Sequence, residues 1–302
     1  MSEHRPIALV YGNCQAEALR QILVTHPAFA ARYHLPRLPR SSRITPHVLA
    51  LIERRLPEVE VLITQEIEPG HRGTAPGTEH LLARLPRSAT VLRYPVAHFE
   101  GAFPFQVYVD RAGPRVVASA PITDYHDLRT LYAAGRGWDL GTTLRRLDEL
   151  QLDPAWVRDN AERSLKDLSS SEAAFTARIA DFVRQHPTTS FHTVNHPANE
   201  LVTEVARQLL SHLGYRDADL VLGSRQTHLG GLVAPLEPQI VRALGDEPSV
   251  DTHGEWVFSS GTFSRAEVIG AYLALYAADP SLLADGLRQH AERLRALEGM
   301  WR

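Results

Sequence analysis

The chain is short of several things. Among its 302 residues there is one cysteine, Cys14, and one lysine, Lys166. A single cysteine forms no internal disulfide and cannot build a multi-cysteine zinc knot. The 32 basic and 35 acidic side chains leave a formal net charge of -3, so the basic excess of a general nucleic-acid binder is missing. No apolar run approaches the ~20 residues that span a bilayer. The first apolar run, Ile7 to Tyr11, is too short for the core of a secretion signal. These absences predict a cytoplasmic protein with no integral membrane segment and no nucleic-acid partner. What is present is ordinary globular composition, 44% hydrophobic, 22% charged and 7% aromatic, which excludes a disordered tail or a collagen-like fibre.

Short apolar runs alternate with helical patterns. Ile7–Tyr11, Val59–Thr64, Thr90–Tyr94 and, more weakly, Thr189–Thr193 read as strands. Helices are predicted near Pro46–Arg55, Thr78–Leu85, Thr142–Leu150 and Ser170–His186, the last from a Ser169-x-x-Glu172 capping box. The alternation predicts an α/β fold: a mostly parallel sheet with helices on both faces, in three layers. A β-hairpin insertion is expected near 105–118, and Leu220–Gly223 reads as one more strand. A Ser264-x-x-Glu267 box opens a helix to about Ala278, and Leu282–Leu297 forms another. The expected division is a catalytic α/β domain at 1–215 and a mainly helical subdomain or lid at 216–302. Homo-oligomers are compatible with this pattern.

Chemistry concentrates where strands end. In a doubly wound sheet, ligands bind at the carboxyl ends of the strands. Cys14 follows the first strand, at or next to a helix N-terminus, whose partial positive charge and unbonded N–H groups favour a thiolate. Gly12 permits a tight turn there, and the amides of Asn13 and Gln15 are candidate oxyanion donors. Gln65 ends the second strand as a further amide donor. Arg93 and His98 follow the third, as candidates to hold a polar or anionic group. His192 and His196 flank the fourth strand end. His196, before Pro197 at the start of an amphipathic helix, is the better candidate base, with His192 orienting it or the substrate. Packing of the cysteine as a small hydrophobe is the competing reading. A Cys14–His192–His196 metal site is a minor alternative; no metal is expected.

Three blocks together resemble a known family. Gly12-Asn13-Cys14-Gln15, Arg93-Tyr94-Pro95-x-x-His98-Phe99-x-Gly101-x-Phe103-Pro104 and Asn195-His196-Pro197 are similar to those of the WcbI-type polysaccharide-biosynthesis family. The resemblance implies a coenzyme A-binding protein that acylates a sugar or related small acceptor. The first block also resembles the nucleophile block of SGNH hydrolases, with cysteine in place of serine. The Gly-x-Asn-Asp and Asp-x-x-His blocks of those enzymes are missing, so their dyad does not carry over; the acid partner of the histidine is unassigned, with Glu66 and Glu200 as guesses. Coenzyme A carries phosphates, for which Arg37, Arg40, Arg43, Arg225 and His228 are candidates. The expected activity is transfer of an acyl group, acetyl by expectation, from acyl-coenzyme A through a Cys14/His196 site. A cysteine-dependent esterase or thioesterase and a non-catalytic coenzyme A- or nucleotide-binding module are the alternatives.

Overall fold

The computed structural model describes residues 5–70, 76–110, 122–216, 220, 227–248 and 254–301. In chain order the elements are β1 (Ile7–Tyr11), α1 (Cys14–Leu23), α2 (Pro27–Arg32), α3 (Pro46–Arg55), β2 (Val59–Thr64), α4 (Thr78–Leu82), β3 (Thr90–Arg93), β4 (Gln106–Val107) and β5 (His126–Asp127). There follow α5 (Leu128–Gly135), α6 (Leu140–Glu149), α7 (Pro154–Ser171), α8 (Ala180–Gln185), β6 (Phe191–Thr193), β7 (His196–Pro197) and α9 (Asn199–His212). The last are β8 (Leu232–Val233), α10 (Pro238–Ala243), β9 (Trp256–Phe258), β10 (Gly261–Phe263), α11 (Arg265–Ala278), α12 (Pro280–Gln289) and α13 (Ala291–Glu298). Two compact units result, one from residues 1–98 and 165–230, the other from 99–164 and 231–302. Among the described residues no helix is long and apolar enough to cross a membrane.

The first unit is built on a parallel sheet in the order β1-β2-β3. β1 is buried at all five positions, which is why it reads as an unbroken apolar run rather than an alternating one. Ile7, Leu9 and Tyr11 pack with Ile52 of α3, Leu62 of β2 and Leu81 of α4. The amphipathic α9 packs along α1, burying Leu201, Val202, Val205 and Leu209, and ends at Gly214 with φ 81°.

The second unit has its own core, in which Phe105, Leu131, Val157, Ile269, Tyr276 and Leu282 are buried together. The Ser264–Glu267 capping box is present at the start of α11.

Several expectations are corrected. Residues 191–193 do not extend the parallel sheet; they pair antiparallel with 196–197 in a small hairpin, Thr193 opposite His196. Pro197 therefore lies in β7, and Ala198 is the N-cap of α9. No helix runs from 170 to 186. Ser169 lies inside α7, and buried Glu172 reaches forward instead, its carboxylate accepting from the N–H groups of Ile179 and Ala180 at 2.7 and 3.0 Å to cap α8. The C-terminal helix divides into α12 and α13 at His290. In the 105–118 segment, the first arm pairs with His126–Asp127, while the second arm lies outside the described residues, as do Val221–Gly223.

Candidate functional site

The sheet register assembles the site. Tyr11 pairs with Thr64 and Thr64 with Arg93, so the residues that follow, Gly12, Gln65 and Tyr94, stand side by side at the carboxyl edge. The Gln65 N–H donates to the Tyr11 carbonyl and the Tyr94 N–H to the Thr64 carbonyl, both at 3.1 Å. Gly12 is not among the glycines with positive φ. Its requirement is room: a Cβ there would sit 2.4 Å from Gln65 Oε1 and 3.0 Å from Tyr94 Oη.

Asn13 caps α1, its Oδ1 accepting the Gln15 N–H at 2.8 Å, and Cys14 is the first helical residue, half-buried. Gln15 is buried and fully used. Its Nε2 donates to the carbonyls of Ala97 and Asn195, each at 2.8 Å. Its Oε1 accepts from the Ala97 N–H at 3.0 Å and from Gln65 Nε2 at 2.9 Å. Gln65 Oε1 accepts the Asn13 N–H at 2.8 Å, and its Nε2 also reaches the Pro95 carbonyl at 3.4 Å. The side-chain amide hydrogens of both glutamines are thus committed to protein oxygens. They hold three loops together, 12–15, 94–98 and 195, where the sequence suggested oxyanion donors.

Tyr94 is the residue that sequence reasoning missed. It is 3% exposed, and among the described residues its hydroxyl has no hydrogen-bond partner. Burial, and secondly the nearby Cys14, push the phenol well above its ordinary pKa, so it stays protonated beside the sulfur. The signal was available: Tyr94 is the first residue past the third strand, level with Gly12 and Gln65.

His192 is the central residue of β6, half-buried, with a buried Nε2 that has no partner among the described residues. Burial lowers its pKa, with Glu200 opposing, so the ring is neutral at pH 7. Of the two carboxylates proposed from sequence, Glu200 therefore acts on His192. His196 is half-buried in β7 with its Nδ1 buried. His98 is half-buried in the loop after β3. Arg93 is drawn to Glu79 of α4, with 3.3 Å between Nη2 and Oε1.

A shallow recess of about 30 Å³ is lined by Gly12, Asn13, Cys14, Glu17, Arg20 and Arg40. The Ser41 N–H fastens this segment to the Gly12 carbonyl at 2.8 Å. Arg37 lies 3.5 Å from Glu17 and is largely exposed. His228 joins α1 through Nδ1 and Gln21 Oε1 at 2.8 Å; burial lowers its pKa, with Glu17 opposing. Arg20, unremarked in the sequence, pairs with Glu17 through both Nε and Nη2. Arg40 therefore shares the Cys14 recess, Arg37 and His228 flank α1, Arg43 is exposed in a short 3₁₀ turn, and Arg225 lies outside the described residues. Among the described residues no group of three or more His, Cys, Asp or Glu side chains can hold a metal ion.

Fold and site define an α/β protein with a cysteine and a buried tyrosine at the carboxyl edge of a parallel sheet. The chain belongs to the WcbI family of polysaccharide biosynthesis enzymes, whose model matches residues 7–218. A solved structure, described as WcbI, a novel polysaccharide biosynthesis enzyme, in its native form without a disulfide bond between coenzyme A and a cysteine, has the same fold. It superposes with a TM-score of 0.82 at 21% identity, over 97% of this chain and 98% of that one. No curated protein matches this chain.

Proposed function

We propose that this chain is a coenzyme A-dependent acyltransferase that moves an acyl group to a hydroxyl of a saccharide or related small acceptor. The observation that carries the reading is the glutamine knot. Gln15 ties the Cys14 turn to Ala97 and Asn195, so the first block, the 93–98 part of the second and the third, which resemble those of a polysaccharide-biosynthesis family, converge on one edge of the first unit.

The residues fit a coenzyme A-like ligand in charge. Arg20 and Arg40 line the recess beside Cys14, and Arg37 approaches Glu17 of the same lining at 3.5 Å; guanidinium groups suit phosphates. The description of the related solved protein, which mentions coenzyme A together with a cysteine, points the same way. When bound, the donor supplies an activated acyl thioester.

In this reading the chain's own groups divide the work. The N-terminus of α1 stabilises negative charge on the Cys14 sulfur or on an oxygen beside it. The Tyr94 O–H, buried and without a partner among the described residues, donates to that charge. A neutral imidazole takes the proton of the acceptor hydroxyl. His196 is the candidate base, and His192, whose depressed pKa keeps it neutral, serves as orienting group or second base. Gln15 and Gln65 keep the loops in register and do not contact the reacting atoms.

The test is thiol release from acetyl-coenzyme A with and without a panel of sugar acceptors. Acceptor-dependent release, abolished in Cys14→Ala or His196→Ala, is expected. Equal release of free acetate without any acceptor would make the protein a thioesterase instead.

A further inference from the structure

The first unit contains a cavity of about 210 Å³ that the reading above does not use. Its floor is formed by Ile7 and Leu9 of β1, Ile52 of α3 and Val59 of β2, all buried. Its outer wall is the segment 36–39. The sequence explains why space remains there. β1 is an edge strand, and the chain is fastened to both of its ends: the Ala8 N–H donates to the His34 carbonyl at 3.1 Å, and the Ser41 N–H to the Gly12 carbonyl at 2.8 Å. Between these bonds stand Pro36 and Pro39, which have no N–H to give to a ladder. The segment therefore does not close onto β1 as a further strand, and the space against Ile7 and Leu9 stays open.

The lining narrows the choice of ligand. Leu38, Val48 and Leu51 complete an aliphatic surface with the prolines, and among the described residues the lining has no aromatic ring, no carboxylate and no uncharged polar side chain. A nucleobase finds no ring to stack on, and a sugar finds no partners for its hydroxyls. An apolar cavity of roughly 150 Å³ stays dry and takes the six carbons of benzene; by that proportion 210 Å³ has room for about eight carbons. The charged residues of the lining are Arg37 and Arg55. Their side chains are 78% and 53% exposed, which puts them at the mouth. Nε of Arg37 lies 3.5 Å from Glu17 and Nε of Arg55 3.1 Å from Glu58, and neither glutamate lines the cavity. The mouth is thus positive over an aliphatic interior, and a guanidinium fork matches a carboxylate. Leu51 is exposed on the same wall, apolar surface that a hydrocarbon tail covers.

We infer that this cavity binds a medium-chain aliphatic carboxylate, its tail on Ile7, Leu9, Ile52 and Val59 and its head at Arg37 and Arg55. The site is distinct from the recess assigned to coenzyme A, although Leu38 and Pro39 line both.

The test titrates the full-length protein with submicellar sodium octanoate and follows the isoleucine, leucine and valine methyl groups by NMR. Saturable shifts centred on Ile7, Leu9, Ile52 and Val59 are expected. Butyrate, which lacks the tail, and octylammonium, which reverses the head charge, should each bind at least about tenfold more weakly. Val48→Phe, which fills the cavity, and Leu51→Asp, which sets a carboxylate on its wall, should each weaken octanoate at least about tenfold. Circular dichroism confirms folding; if Val48→Phe fails to fold, Leu51→Asp decides, since its site is exposed. Coenzyme A alone should leave the four floor residues unshifted. The inference is overturned by the lack of a saturable octanoate shift at the floor, by octylammonium binding as tightly, or by binding unchanged in Leu51→Asp. Displacement of octanoate from the floor by coenzyme A overturns it too, because the cavity would then belong to the coenzyme A site.

Discussion

Replacing Gln15 by leucine separates a structural from a chemical role for this side chain. The shape is nearly kept, but four hydrogen bonds vanish, to Ala97 O, Asn195 O, the Ala97 N–H and Gln65 Nε2. At about 1 kcal/mol each, with the buried partners left unmatched, the loss is on the order of 4 kcal/mol. The tryptophans all lie in the other unit, so the change must be read in the first unit, by far-UV circular dichroism in urea and by amide exchange. The Ala97 amide, which donates to Gln15 Oε1, should exchange on the order of 10²-fold faster or more. Activity should fall in proportion to the loss of folded site. If instead stability and Ala97 exchange stay at wild-type values while turnover drops by ~10²-fold or more, the side chain is an oxyanion donor and the knot argument is wrong.

Three further outcomes follow from the same geometry. Tyr94→Phe removes a hydroxyl with no partner among the described residues, so stability by urea titration should hold within about 0.5 kcal/mol while turnover falls on the order of 10²-fold; a stability loss above about 1 kcal/mol would contradict this. His126 falls from 6.5 to about 4 on folding, so the unfolded chain binds the extra proton. Its contribution is complete above about pH 6.5 and is lost as pH falls toward 4, about 3 kcal/mol at 1.36 kcal/mol per unit. Tryptophan-monitored melts at pH 7 and 4.5 should show this acid sensitivity in the second unit and a flatter profile in His126→Gln; an unchanged profile would refute it. Arg129→Met removes the charge partner of the partly exposed Asp127 and Glu237, while Asp127 keeps its N-cap bonds, and should cost about 1–3 kcal/mol in the same melts; no measurable loss would contradict this.

What the sequence discloses depends on the kind of force involved. β1 is legible to the residue because burial on both faces demands an unbroken apolar run, and β2 because only Glu60 near its start interrupts one. The cysteine turn is legible because a strand, a glycine and a helix cap follow one another without a gap. The glutamine knot is not, since its partners are backbone carbonyls, which every residue carries alike. Glu172 reads as a capping-box partner because its spacing from Ser169 is right; only the fold reveals that it caps the next helix instead. Residues 191–197 read as a strand and a helix start because nothing local distinguishes a two-residue hairpin arm from a helix-entry proline. Segment 99–164 shares a core with the C-terminal helices, a pairing across more than a hundred residues that local patterns do not encode.

The central claim is that the recess beside Cys14 receives coenzyme A, and calorimetric titration of the purified chain with coenzyme A tests it most directly. Saturable one-to-one binding is predicted, weakened at least about tenfold by Arg40→Glu at that recess. No binding heat, or an affinity indifferent to charge reversal at Arg40, would contradict the account.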